Sequence, residues 1–247
     1  MQTLTRQDRL FGLAITEIPR SHGLLAGLAL GAVLIQATLL GVHLALPYVA
    51  EQTGWSALAE PGPVLDITHS GSLAAFFASF LSIVGALLCL VLARIDRFGS
   101  RPSRAWHWGA FAFGVLALDA ACDLQGLLGH ALSAGIGGYA LDAQFFVPAI
   151  FLLLFGGFFG IAAWRLRRTP AAALLMLAGY GAWALSYRGV AELRILDFSL
   201  SPEQQAAAGP ALAMLGTTLM LWALGCCLLA SAKRNTPLAL RQRPRLF

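Results

Sequence analysis

The sequence predicts an all-α integral membrane protein, a bundle of six transmembrane helices with both termini in the cytoplasm. Three observations carry this expectation. Of 247 residues, 58% are hydrophobic and only 12% charged, about half the charge of an average soluble domain, and the mean hydropathy is +0.72. The charges stand in short clusters separated by long uncharged runs. The basic clusters also alternate along the chain with segments that hold acids or no charge. So few charges cannot clothe a water-soluble fold of this size. A disordered chain would be polar and highly charged, and four cysteines do not make a disulfide scaffold.

Four runs have no charge at all: between Arg20 and Glu51, Asp66 and Arg94, Asp142 and Arg165, and Glu203 and Lys233. Each supplies the roughly 20 apolar residues that a helix needs to cross about 30 Å of hydrocarbon. Two further segments complete the set. Trp106 to Leu128 is apolar except for Asp119 and Asp123, and Pro170 to Tyr187 is apolar throughout. The predicted helices are 23–47, 70–93, 106–129, 143–164, 170–189 and 204–232, within one domain, 1–247, with short tails. No internal repeat, soluble domain or low-complexity tract interrupts them.

Lys and Arg concentrate on the cytoplasmic side of membrane proteins. All 17 except Arg188 and Arg194 lie in the N-terminal tail, the second and fourth connections, and the C-terminal tail. The first and third connections carry Glu51, Glu60, Asp66 and Asp142 instead. The net charge of +5 is therefore a rim of basic residues against anionic headgroups, and it calls for no nucleic-acid partner. The first run follows a basic tail but is too long for a signal peptide, so it reads as an uncleaved helix. Local punctuation marks the ends. Thr169-Pro170 and Ser201-Pro202-Glu203-Gln204 resemble helix starts, and Glu60-Pro61-Gly62-Pro63 is a loop.

Aspartates inside a span are the strongest functional signal. At i and i+4, Asp119 and Asp123 share one face of the third predicted helix, and His130 continues that stripe. An ionised carboxylate in hydrocarbon costs at least about 2.5–3.5 kcal/mol, so each must be paired, protonated or turned inward. One account makes them a proton-carrying or metal-binding centre, with Asp119, Asp123 and His130 as candidate ligands. The other makes them counter-ions of Arg188 or Arg194. With Gln125, His43, His69, Glu192 and the two arginines they outline a polar pocket near the outer leaflet, joined by Asp66, Asp142, Gln144 and Tyr187. No catalytic residues are assigned.

Haem is the cofactor to consider in a membrane protein with five histidines. Ligands of two stacked haems stand roughly 13–14 residues apart on a helix, about 20 Å. His22 and His43, and His107 and His130, are spaced too widely and sit at the rims. A single outer haem between His43 or His69 and His130 is the remaining arrangement. Cys89, Cys122, Cys226 and Cys227 lie in predicted spans without a CxxC pair and read as packing residues. Gly23-Gly27-Gly31, and Gly156, Gly157 and Gly160, give small-residue faces suited to close helix packing or self-association. In His69-Ser70-Gly71-Ser72, a helix cap explains the serines more simply than a hydrolytic nucleophile.

The run Leu118-Asp119-Ala120-Ala121-Cys122-Asp123-Leu124-Gln125-Gly126 resembles a motif of a group of uncharacterised bacterial multipass membrane proteins, approximately Leu-Asp-Glu-x-x-x-Leu-His-Glu. Asp119 and Leu124 match it. Ala120 replaces its glutamate, and Gln125 and Gly126 stand at the His-Glu positions. The segment Ser72–Trp106 and the last two spans look similar too. Near the last span Glu203 remains, followed by Gln204, Gln205 and alanines. The resemblance implies a shared fold and the bacterial inner membrane, with most of an acidic ligand set missing here.

Three functions follow as expectations. The first is an accessory or interaction subunit packed against other membrane proteins, the second a small transporter or channel using Asp119 and Asp123. The third is a membrane enzyme or redox protein with an outer-leaflet metal or haem site. The incomplete catalytic set leans away from an enzyme.

Overall fold

A computed structural model describes residues 22–54, 64–98, 104–135, 143–166, 169–186 and 202–241. Among them are seven α-helices and no strand: α1 His22–Thr53, α2 Leu73–Phe98, α3 Arg104–Cys122, α4 Leu124–Gly135, α5 Ala143–Arg165, α6 Pro170–Leu185 and α7 Pro202–Arg241. Four helices are long and apolar enough to cross a membrane, with stretches at Gly23–Thr53, Leu73–Ile95, Val147–Trp164 and Ala206–Ser231, and the bent pair α3–α4 makes a fifth if it is one span. At 16 residues α6 is about 24 Å long, short of a full crossing within the described residues.

The third predicted helix needs correction. The expected 106–129 helix breaks at Asp123, whose φ is +50°, and α3 and α4 are bent by 81°. The reason is local. A short polar side chain tolerates the left-handed region and competes with helical hydrogen bonding. Asp123 N–H closes the last turn of α3 on Asp119 O at 2.8 Å, and Asp123 O accepts the first bond of α4, from Leu127 N, at 3.0 Å. The first helix also runs past Pro47 to Thr53.

Helix starts follow their caps. Ser72, buried, accepts from Ala75 N at 3.1 Å and begins α2, directly after Gly71 at φ +97°. Thr169 precedes Pro170, but its hydroxyl donates back to Leu166 O at 3.0 Å rather than capping α6.

The core is apolar and aromatic. Phe113 and Phe159 are fully buried and meet edge to face at 5.8 Å between centroids. Around them pack Phe155, Phe158, Tyr180, Trp183, Met176 and Met220. Tyr180 resolves its own polarity by donating from its hydroxyl to Leu152 O on α5 at 2.6 Å. α7 is the most enclosed of the long apolar helices and α1 the least.

α6 and α7 approach through Gly179 and Gly216. A Cβ on Gly216 would lie 2.5 Å from Gly179 O and 2.7 Å from Trp183 N, and one on Gly179 would lie 2.7 Å from Gly216 O. These are backbone atoms that cannot swing away. By contrast, Gly23, Gly27, Gly31, Gly157 and Gly160 have open space around the Cβ position, and Gly156 faces the Tyr180 hydroxyl. Gly216→Ala is therefore expected to cost at least about 1–3 kcal/mol, the usual penalty of overpacking. It should lower the melting temperature in detergent, whereas Gly27→Ala leaves it unchanged.

Candidate functional site

The predicted pocket residues fall into two groups in the described residues. The first is the α3–α4 elbow. Asp119 Oδ1 accepts from Gln125 N at 3.0 Å and Oδ2 accepts from Gln125 Nε2 at 2.7 Å. Asp123 Oδ1 accepts from Gly126 N at 3.2 Å. Both carboxylates thus serve the first turn of α4, whose amides have no helical partner. They also place acceptor oxygens at the positive end of that helix. A Cβ on Gly126 would displace the Asp123 carboxylate from its place over the helix start. Gln125 is buried, Asp123 exposed and Asp119 half-buried.

The 81° bend turns His130 off the axis of α3, so it does not extend the aspartate stripe along one helix. It lies exposed on α4. Among the described residues no group of three or more His, Cys, Asp or Glu is placed to hold a metal ion. Asp119, Asp123 and His130 are therefore not gathered as a ligand set.

The second group joins α1 to the turn before α2. His43 Nδ1 lies 3.7 Å from Asp66 Oδ1 and, although buried, makes no hydrogen bond. Asp66 Oδ1 accepts from Thr68 N at 2.9 Å and from the Thr68 hydroxyl at 2.7 Å. Burial alone would raise the Asp66 carboxyl. The Thr68 hydrogen bonds and the nearby His43 and His69 imidazoles outweigh it and hold the group below the usual carboxylate range. Ile67, next in the chain, is buried against Ala74, Ala207 and Met214, so the turn is pinned by one apolar and one polar side chain.

Arg188, Glu192 and Arg194, with Tyr187 and Asp142, lie outside the described residues, and so does any pairing they make with the aspartates. The side chains of Gln144 and Glu203 are likewise outside. Cys89 and Cys227 are buried, while Cys122 is exposed at the end of α3 and donates to Leu118 O.

Sequence reasoning missed Gln36. It is buried on α1, where Nε2 donates to Thr218 Oγ1 at 2.6 Å and to Met214 O at 3.2 Å on α7. Its signal was available: it is the only amide or charge between Arg20 and Glu51, and an isolated amide in a span bonds across helices.

Two outcomes test these contacts. Asp119→Asn leaves one acceptor oxygen for two donors, so a loss of about 1–3 kcal/mol is expected, and Asp119→Leu, which removes both bonds, should lower the melting temperature further. An unchanged melt for Asp119→Leu would show that the carboxylate does not hold the elbow. The folded-state pKa of Asp66 is depressed, so its stabilisation is complete above the ordinary value of about 3.9 and is lost as pH falls through the lower folded value. Asp66→Asn should melt lower than wild type at about pH 6, and the two should converge near about pH 3.

Compared with known proteins, the chain matches no family model, no curated protein and no solved structure.

Proposed function

We propose that this chain is a multipass protein of the bacterial inner membrane that serves as an accessory or interaction subunit of a membrane complex, α1 being the helix that meets the partner. Six crossings with both termini cytoplasmic remain our assignment, α3 belonging to the third and α6 to the fifth. The fold-level resemblance to the multipass group with the Leu-Asp-Glu and Leu-His-Glu helix belongs to the same proposal.

The observation that carries it is the attachment of α1. One line of contacts holds it: Leu25 against Gly225, Gln36 against Met214 and Thr218, and Leu39 and Leu40 beside Ile67. Its other faces expose Leu28, Leu30 and Leu34, with open space at Gly23, Gly27 and Gly31. Small residues that leave a helix open to close approach suit a second helix in a membrane. Asp119, Gln125, Gln36 and Tyr180 are meanwhile engaged in hydrogen bonds within the bundle. A second reading, a transporter or channel working through Asp119 and Asp123, is favoured by the helix break at Asp123, one turn beyond Asp119, since discontinuous helices carry ion sites in transporters.

Reporter fusions after residues 100, 168 and 240 should read cytoplasmic, and insertions near 56 and 136 external. A photo-crosslinking side chain at Gly27 or Leu34 should join one protein in stoichiometric yield, while the same group at Leu153 joins lipid. Crosslinks to lipid alone from α1, together with proton or ion uptake abolished by Asp119→Asn in vesicles, would overturn the subunit reading in favour of transport.

A further inference from the structure

We propose that α4 is an interfacial helix, lying in the membrane plane at the headgroup–acyl boundary of the leaflet where α3 ends and held there by lipid rather than by another protein. This rests on α3 crossing the bilayer.

The geometry starts from α3. Its 19 residues rise about 28 Å, close to the hydrocarbon thickness of about 30 Å. It begins at Arg104, which follows Arg94, Arg97 and Arg101 closely in the sequence. Asp123 therefore lies at the opposite boundary. An 81° bend there turns α4 nearly perpendicular to α3, along the surface of the bilayer.

The faces of α4 fit that position. Leu124, Leu127, Leu128, Ala131 and Leu132 recur at i, i+3, i+4, i+7 and i+8, the register of one apolar side. Leu127 is 59% exposed, Leu128 40% and Leu132 43%, so the described residues leave much of this side uncovered. Gln125 and Gly129 form a second, buried side, and α4 packs on α5. Gly126 and His130 stand on the remaining side, and His130 is exposed. One side thus faces protein, one apolar side is uncovered and one polar side is open. A helix lying in an interface buries its apolar face about 5–10 Å into the headgroup–acyl boundary and leaves its polar face in water.

The chemistry of the lipid is also constrained. From Leu124 to Gly135 there is no Lys, Arg, Asp or Glu, so the attraction comes from apolar area and not from anionic headgroups. The elbow supports the same end. With the amides of Gln125, Gly126 and Leu127 held by Asp119 and Asp123, the helix start has partners for most of its first-turn donors at the edge of hydrocarbon.

The test is the depth of nitroxide side chains in the full chain reconstituted in phosphatidylcholine vesicles, read from their relative exposure to oxygen and to a water-soluble nickel chelate. Probes at Leu124, Leu127, Leu128 and Leu132 should share one shallow depth, about 5–10 Å below the headgroups. A probe at His130, exposed on the polar side, should be open to the nickel chelate. Replacing a third of the lipid with phosphatidylglycerol should leave all of these depths unchanged. A depth that changes steadily by about 1.5 Å per residue from Leu124 to Leu132 would show a continued span and overturn the proposal. So would full water exposure of the four apolar positions, or shielding of them from both reagents, which would mean a protein covers the face. A probe at Phe111, midway along α3, separates the two levels of the argument. If it lies deep while the α4 probes fail, the interfacial helix is wrong. If it too is open to water, the membrane crossing by α3 is wrong.

Discussion

Gly179 and Gly216 bring the backbones of α6 and α7 into direct contact, with each glycine's carbonyl occupying the space where the other's side chain would stand. Two helices of apolar residues gain little from meeting in lipid, because lipid tails are as apolar as leucine. Their association depends on contact area, and area grows as backbones approach. α7 also meets α1 and α2, so its position fixes theirs. The aromatic layer of Phe155, Phe159, Tyr180 and Trp183 then fills the space beside that contact, and Met220 closes it from α7.

The same environment governs the polar residues. Where water cannot solvate a backbone amide, each departure from regular helix must bring its own partner. At the elbow the partners are the carboxylates of Asp119, in the last turn of α3, and of Asp123, at the break itself. Buried polar side chains meet the same demand: Gln36 on α1 donates to Met214 O and Thr218 Oγ1 on α7, and Tyr180 on α6 donates to Leu152 O on α5. Asp119 and Asp123 are polar because the chain turns there, which is a sufficient reason for their presence in an apolar segment. Whether they also carry a proton is a separate property, to be measured apart from stability.

Much of the fold was legible in the sequence because charge clusters and long apolar runs mark helix positions directly, and Ser72 and Thr169-Pro170 stand at helix starts as their types suggest. The elbow was not legible. An i, i+4 pair of aspartates reads equally well as a stripe on a straight helix, and only the left-handed backbone of Asp123 separates the two. The packing glycines were also hidden. Regular spacing drew attention to Gly23, Gly27 and Gly31, which have space around them, while Gly179 and Gly216, isolated on different helices, make the contact. A periodic stripe records what one helix offers. It does not record where the neighbouring helix lies. Of the candidate site, residue types were readable but their grouping was not, since Asp66 meets His43 only because Ile67 anchors the turn between α1 and α2.

The length of α7 has a mechanical consequence. Its 40 residues make a rod about 60 Å long, and its apolar stretch, Ala206–Ser231, takes up 26 of them. The remaining turns, through Arg241, carry Pro237, where a helix loses a hydrogen bond and bends readily. Gripped by α1, α2 and α6, the 26-residue apolar stretch acts as a lever about 39 Å long. A tilt of about 5° at one end displaces the other by about 3 Å. An event that alters the packing around α7 reaches the last turns of the helix through that proline.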